Sequence, residues 1–319
     1  MRQGNPVFIA ALLAMLAAAP LLASNLVINF LVTALIVALA AQGWNLLGGF
    51  GGQVSFGHAA FFGAGAYVAA LLQLRLGINA WAAAGLGVLA GAATGWAIGA
   101  LAFRARLRGS YFALVTLAFA EVLRILANAA DITGGAAGLL IKLDVRPGNL
   151  QFSNRALFAW IVIACVGAVL LLTRFIARGR FGAQLAAVRE NENAAQALGV
   201  DILAVKLRAI TLSAGITALA GVLYVQYFLY LDASIGFGAW ISIEALLAAI
   251  VGGVGTVAGP VIGALALHGL GEATKGFVSG IAGIDLVLFG LLLVAAVAFA
   301  PTGIVGAWQR LAIRRRRHA

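Results

Sequence analysis

Charge is what this sequence has least of. Only 10% of its 319 residues are Asp, Glu, Lys or Arg, against roughly 25% in a soluble domain. An aqueous globule is therefore excluded. Cysteine is nearly absent: Cys165 stands alone in an apolar run, which rules out an internal disulfide and makes it a small packing residue. Histidine is confined to His58, His268 and His318. These make no recognisable catalytic set with the serines, and no His/Cys cluster has metal-ligand spacing, so neither an active site nor a metal is expected. No G-x-x-x-x-G-K-[ST] phosphate loop occurs, so the chain has no such site for ATP and needs no cofactor of its own. The formal charge of +11 comes without a basic face interleaved with aromatics, which argues against nucleic acid as a partner.

Apolar residues fill the space that charge leaves: they make up 63% of the chain, with a mean hydropathy of +1.06. A helix needs about 20 apolar residues to cross the hydrocarbon of a bilayer. Runs of that kind lie at 7–23, 26–47, 58–74, 80–103, 110–128, 156–173, 208–230, 239–257, 259–276 and 283–301. The expectation is an all-α polytopic membrane protein, a single domain over 1–319 with about ten transmembrane helices. Glu272 and Lys275 weaken the ninth span, and GGVGTVAGP at 252–260 has the composition of a broken or re-entrant segment, tolerated only where protein buries it. Arg2 before the run 7–22 has the make-up of a secretory leader. Because a second apolar run follows after only three residues, we expect the first helix to be retained.

The placement of basic residues orients the bundle. With the N-terminus inside, Arg104, Arg106, Arg108, the loop 177–208 and the run Arg314 to Arg317 all fall on one side, as the positive-inside rule requires. Both termini are expected in the cytoplasm. Gly85, Gly87, Gly91, Gly95 and Gly99 are spaced to let helix backbones approach closely.

The longest polar interruption, 177–208, carries Arg178, Arg180, Arg189, Glu190, Glu192, Asp201, Lys206 and Arg208. A short surface helix is expected over 184–198, stopped by Gly199 as a C-cap glycine. The plain alternative is an amphipathic helix lying on lipid headgroups, which Glu190 and Glu192 oppose because anionic lipid repels them. Three further polar features stand among the apolar runs. Gln53, Ser55 and His58 occupy a glycine-rich bend that either lines a path or satisfies freed backbone carbonyls. Glu121 and Arg124 share a helix face as an ion pair. Glu244 has no obvious partner nearby, so a basic group elsewhere in the bundle or on a paired subunit is expected to compensate it.

Several of these stretches resemble a known family. The segment from Glu190 to Gly199, alanine-rich before its glycine, resembles the coupling loop of ABC-importer permeases. GGQVSFGHAAFFGAGAY at 51–67, RGSYFALVTLAFAE at 108–121, TGGAAG at 133–138 and GGVGTVAGP at 252–260 follow in the order seen in LivM-type permeases of branched-chain amino acid transporters. Phe56 departs from that pattern, where leucine is expected. The resemblance implies a permease subunit in the bacterial inner membrane, not itself an enzyme, forming half of a translocation path for branched-chain or other apolar amino acids. It implies a second homologous permease, two cytoplasmic ATPase subunits that bind the ATP, and a periplasmic binding protein that delivers substrate. Arg189, Glu190, Asn191, Glu192, Ala195 and Gly199 would couple to the ATPase. Gln53, Ser55, His58, Glu121, Arg124 and Glu244 are the candidates for path or gate. Related permeases carry urea, amides or other small solutes, and a stand-alone transporter or channel would show itself by intramembrane carboxylates such as Glu121 and Glu244.

Overall fold

Apolar runs of this length satisfy their backbone in lipid only as helices. The chain does so in a computed structural model that describes residues 6–22 and 24–277, together with 287, 290 and 303–306. In chain order the helices are α1 (Pro6–Leu22), α2 (Asn25–Trp44), α3 (His58–Leu76), α4 (Ala80–Arg104), α5 (Gly109–Ala129) and α6 (Arg155–Arg178). They continue with α7 (Arg180–Glu190), α8 (Glu192–Ala197), α9 (Ile202–Phe228), α10 (Ala233–Phe237), α11 (Ala239–Gly252) and α12 (Gly259–Phe277). A π turn, Asn45–Phe50, extends α2. Each expected span up to 276 thus falls on a helix, the eighth only in part, while the span 283–301 and the arginine run 314–317 lie outside the described residues.

Seven helical units among the described residues are long and apolar enough to cross a membrane, so the molecule is a multi-pass membrane protein. One boundary needs correction. The eighth span was expected at 239–257, but α11 has 14 residues, about 21 Å at 1.5 Å per residue, too short to cross alone. The crossing unit is Ala233–Gly252, joined through Gly238 and ended at Gly253, whose φ of 125° suits glycine alone.

Small residues form the seams of the bundle. Gly87, Gly91, Gly95 and Gly99 of α4 lie against α3 and α9, the last three meeting Ala218, Ala214 and Ile210 of α9. Gly85 stands off this face, with nothing within 4 Å of a side chain there. The α11–α12 hairpin is closed even more tightly: a Cβ on Gly252 would strike the carbonyl of Gly259, and one on Gly263 that of Ala248. Its turn is irregular backbone buried against α2, and α2 together with its π turn supplies the missing partners. Gln42 Nε2 donates to Val257 O (2.7 Å), Asn45 Nδ2 to Thr256 O (2.9 Å), and Asn45 Oδ1 accepts from Gly255 N (2.7 Å).

The connections gather at two ends. The bend 51–57, the turn 105–108, α7 with α8, and the turn 253–258 share one end, as the contacts of Gly52 and Gly255 with Arg189 and of Arg108 with Glu192 require. At the other end Trp81 Nε1 donates to Pro147 O (2.9 Å). There a two-residue antiparallel ladder pairs β1 (Leu139–Leu140) with β2 (Tyr230–Leu231). TGGAAG at 133–138 belongs to this second end, where Gly134, Gly135 and Gly138 all hold positive φ and turn the chain away from α5.

Candidate functional site

The polar interruption forms two helices where one was expected. Asn191 breaks the run with φ −160° and ψ 110°, and its side chain then caps α8 by accepting from Ala194 N (3.1 Å). An asparagine offers the backbone that alternative to continuing a helix. The expected stop is present: Gly199 has φ +82°, its N–H donates to Gln196 O (2.9 Å) and that of Val200 to Ala195 O (3.1 Å). These two bonds are the Schellman closure.

Burial divides the two helices. Gly182, Leu185 and Val188 root α7 in the bundle. In α8 only Ala195 is buried, and Leu198 beyond it is 83% exposed.

Two side chains tie this pair to the membrane helices. Arg189 Nη1 donates to Gly49 O in the π turn (3.1 Å), and Nη2 to Glu190 Oε1 (2.8 Å). Its stem packs on Gly52, at φ +70°, where a Cβ would lie 2.5 Å from Arg189 Cγ. Glu192 is held from two sides. Arg108, just before α5, approaches its Oε2 at 3.1 Å, and Lys206 of α9 its Oε1 at 2.5 Å. Lys206 is buried, with its ammonium 5.4 Å from the Phe103 ring centre. Alongside lies a 620 Å³ cleft that Arg104, Arg106 and Gln196 also line.

The glycine-rich bend completes the junction. Ser55 and His58 are fully buried. His58 Nε2–H donates to Ser213 Oγ (2.9 Å), which donates in turn to Gly43 O (2.7 Å), so Ser213 of α9 joins the start of α3 to α2. Ser55 Oγ accepts from Gly57 N (3.2 Å), and Trp44 Nε1 donates to Ser55 O (2.9 Å). Gln53 instead lines a 240 Å³ cleft with Arg189, Glu190 and Glu192. Thr116 Oγ1 accepts from Phe56 N (3.3 Å) and Ser242 Oγ from Ala59 N (2.8 Å), which joins the bend to α5 and α11. The three motif stretches at 51–67, 108–121 and 252–260 therefore converge beneath α7.

Glu121 and Arg124 are elsewhere. They form a two-pronged pair, Nε to Oε2 at 2.9 Å and Nη2 to Oε1 at 2.6 Å, on the outward face of α5. That face also exposes Tyr111, Leu114, Val122 and Ile125. Glu244 of α11 has His268 Nε2 of α12 at 3.9 Å from its Oε1, so its neighbour is an imidazole inside the same subunit. Reasoning from sequence missed Arg108 and Lys206 as the clamps of Glu192, and missed the exposure of Leu198. The positive charges at 108 and 206 flanking an acidic helix start were the available signal.

Comparison with known proteins shows the family. The family model described as "Branched-chain amino acid transport system / permease component" matches residues 26–297. The chain is 28% identical over 323 residues to the high-affinity branched-chain amino acid transport system permease protein LivM of Escherichia coli (strain K12), covering 93% of this chain and 74% of that protein. It is 28% identical to LivH of Salmonella typhimurium, covering 84% of this chain and 91% of LivH. Against BraD of Pseudomonas aeruginosa the identity is again 28%, with 88% and 94% covered.

Proposed function

The chain belongs to the family of permease components of branched-chain amino acid transport systems, and we propose how it works within an ABC importer. It forms half of a translocation path for branched-chain or other apolar amino acids, with a second, homologous permease as the other half. The observation that carries the mechanism is the double clamp on Glu192, which ties α8 to both α5 and α9. The end bearing α7 and α8 is the cytoplasmic one, because Arg104, Arg106, Arg178 and Arg180 gather there and basic loops stay inside. The membrane is then the bacterial inner membrane.

On this reading α8 seats in a cleft of a cytoplasmic ATPase subunit, with Leu198 as its apolar anchor. ATP is bound by two such subunits and not by this chain. When they close, α8 moves, and Glu192 draws Arg108 and the start of α5 with it while Arg189 shifts the π turn of α2. The moving face of α5 is the one that carries Glu121 and Arg124. A charge facing lipid at mid-membrane costs about 2.5–3.5 kcal/mol or more, so this face belongs against the second permease or the path. Substrate arrives at the opposite end from a periplasmic binding protein. Co-expression with the partner subunits and affinity purification tests the docking: the ATPase should co-elute with the wild-type chain and be lost with Leu198→Asp. Equal recovery from both would overturn the assignment of α8.

A further inference from the structure

The turn after α4 closes in a way that favours glycine, yet an arginine stands there. Arg106 has φ +55°; its N–H donates to Phe103 O (3.0 Å) and that of Leu107 to Ala102 O (3.1 Å). This is the closure that also ends α8, where the left-handed position is Gly199. A side chain in that conformation is strained, and strain of this kind tends to mark functional positions. Arg106 lines the 620 Å³ cleft beside α8 together with Arg104 and Arg108. Of the two carboxylates that also line it, Glu192 is taken by Lys206 and Arg108, and Asp201 Oδ1 caps α9 by accepting from Ala204 N (3.0 Å). Arg104 and Arg106 pair with no carboxylate among the described residues. Both are exposed, so a ligand can reach them directly. Arg104 ends α4, Gly109 begins α5 and Ile202 begins α9, and all three helices are membrane-crossing units. The cleft therefore opens at the level of the lipid headgroups. Leu101, one turn deeper on the Arg104 face, is 62% exposed and continues that face as apolar surface.

We propose that this cleft holds the headgroup phosphate of an anionic phospholipid from the adjoining leaflet. Guanidinium and phosphate make short, two-pronged, charge-assisted bonds, and basic pockets between membrane helices suit acidic headgroups. Arg104 and Arg106 hold the phosphate, Asn193 and Gln196 of the same lining offer amides to the headgroup hydroxyls, and the acyl chains pass Leu101. Repulsion by Glu192, which opposes laying α8 flat on lipid, does not arise inside the cleft, because that carboxylate is already met from two sides. Arg108 engages Glu192 through Nε, so a phosphate beside it also steadies the clamp. That consequence alone rests on the coupling role proposed for α8; the site itself needs only the membrane position of α4, α5 and α9.

Thermal unfolding of the purified full-length chain in neutral detergent tests it, with phosphatidylglycerol as probe and phosphatidylcholine and inorganic phosphate as separate controls. A ligand that binds only the folded state raises Tm saturably. Such a rise is expected with phosphatidylglycerol and with neither control. Arg106→Gly suits the left-handed backbone, so the unliganded chain should keep its Tm while the half-saturating lipid concentration rises about tenfold, the scale of one charged hydrogen bond. Arg178→Gln removes an exposed arginine at the end of α6, outside the cleft lining, and should leave the lipid response as in wild type. Absence of a saturable rise with phosphatidylglycerol would overturn the proposal and leave the arginines to a protein partner. An equal rise with inorganic phosphate would overturn the lipid as the source. Equal weakening in Arg106→Gly and Arg178→Gln would overturn the site, reducing it to diffuse surface charge.

Discussion

Glu192 is the residue whose loss should be felt furthest from its own position. Its carboxylate is the only acid that Lys206 meets among the described residues, and Lys206 is buried. Glu192→Gln leaves that ammonium uncompensated, at a cost of about 3–5 kcal/mol for pairs of this kind. We therefore expect a clear drop in Tm together with lost uptake. Adding Lys206→Met should restore Tm but leave uptake impaired, since α8 is still detached from α9. Full recovery of uptake in the double variant would show that the clamp serves stability alone. Gly199 is a milder case. Nothing lies within 4 Å of a side chain there, so Gly199→Val costs only the left-handed backbone, about 1–2 kcal/mol. That strain falls on the Schellman closure, so ATP hydrolysis should continue in the assembled transporter while uptake falls. Normal uptake would remove Gly199 from the coupling path.

At the scale of elements, α5 is the helix whose partner is missing from the single chain. Glu121 and Arg124 lie on its exposed side, so the solubilised subunit should hardly register their replacement, surface pairs being weak. Glu121→Gln and Arg124→Gln should instead each lower recovery of the permease pair and its uptake, with the double variant partly recovering both. Simple addition of the two single effects in a double-mutant cycle would show that they are not partners in the assembly. Sequence and structure met unevenly at this scale. Helix positions were legible because most spans are long apolar runs closed by glycine or charge, as at Gly77 and Arg104, whereas the end at Gly253 was read too late. The split of 184–198 into two helices was not, because it turns on a single asparagine taking an extended backbone. Nor was the meeting of Arg189 with Gly49 and Gly52, since contacts between distant segments leave no periodicity to read. The bond from His58 to Ser213 was equally illegible, because 155 residues separate the two.

For the whole molecule the testable statement is sidedness. Cys165 sits within α6, half-buried, which leaves a quiet background for introduced thiols. Asn193→Cys on α8 and Ser153→Cys before α6 place probes at opposite ends, both exposed. In intact cells a membrane-impermeant maleimide should label Cys at 153 and reach 193 only after the membrane is opened. The reverse pattern would invert the bundle and the docking of α8 with it. The α11–α12 hairpin carries a different kind of consequence, one for heredity. At Gly252 and Gly263 the obstacle to a side chain is a neighbouring backbone carbonyl, which no rotamer change can move. At Gly85 no obstacle exists. Under random mutagenesis with selection for uptake, codons 252 and 263 should return glycine almost without exception, while codon 85 drifts freely among the small and apolar residues. Sites that look alike in composition thus differ sharply in how much evolution can rewrite them.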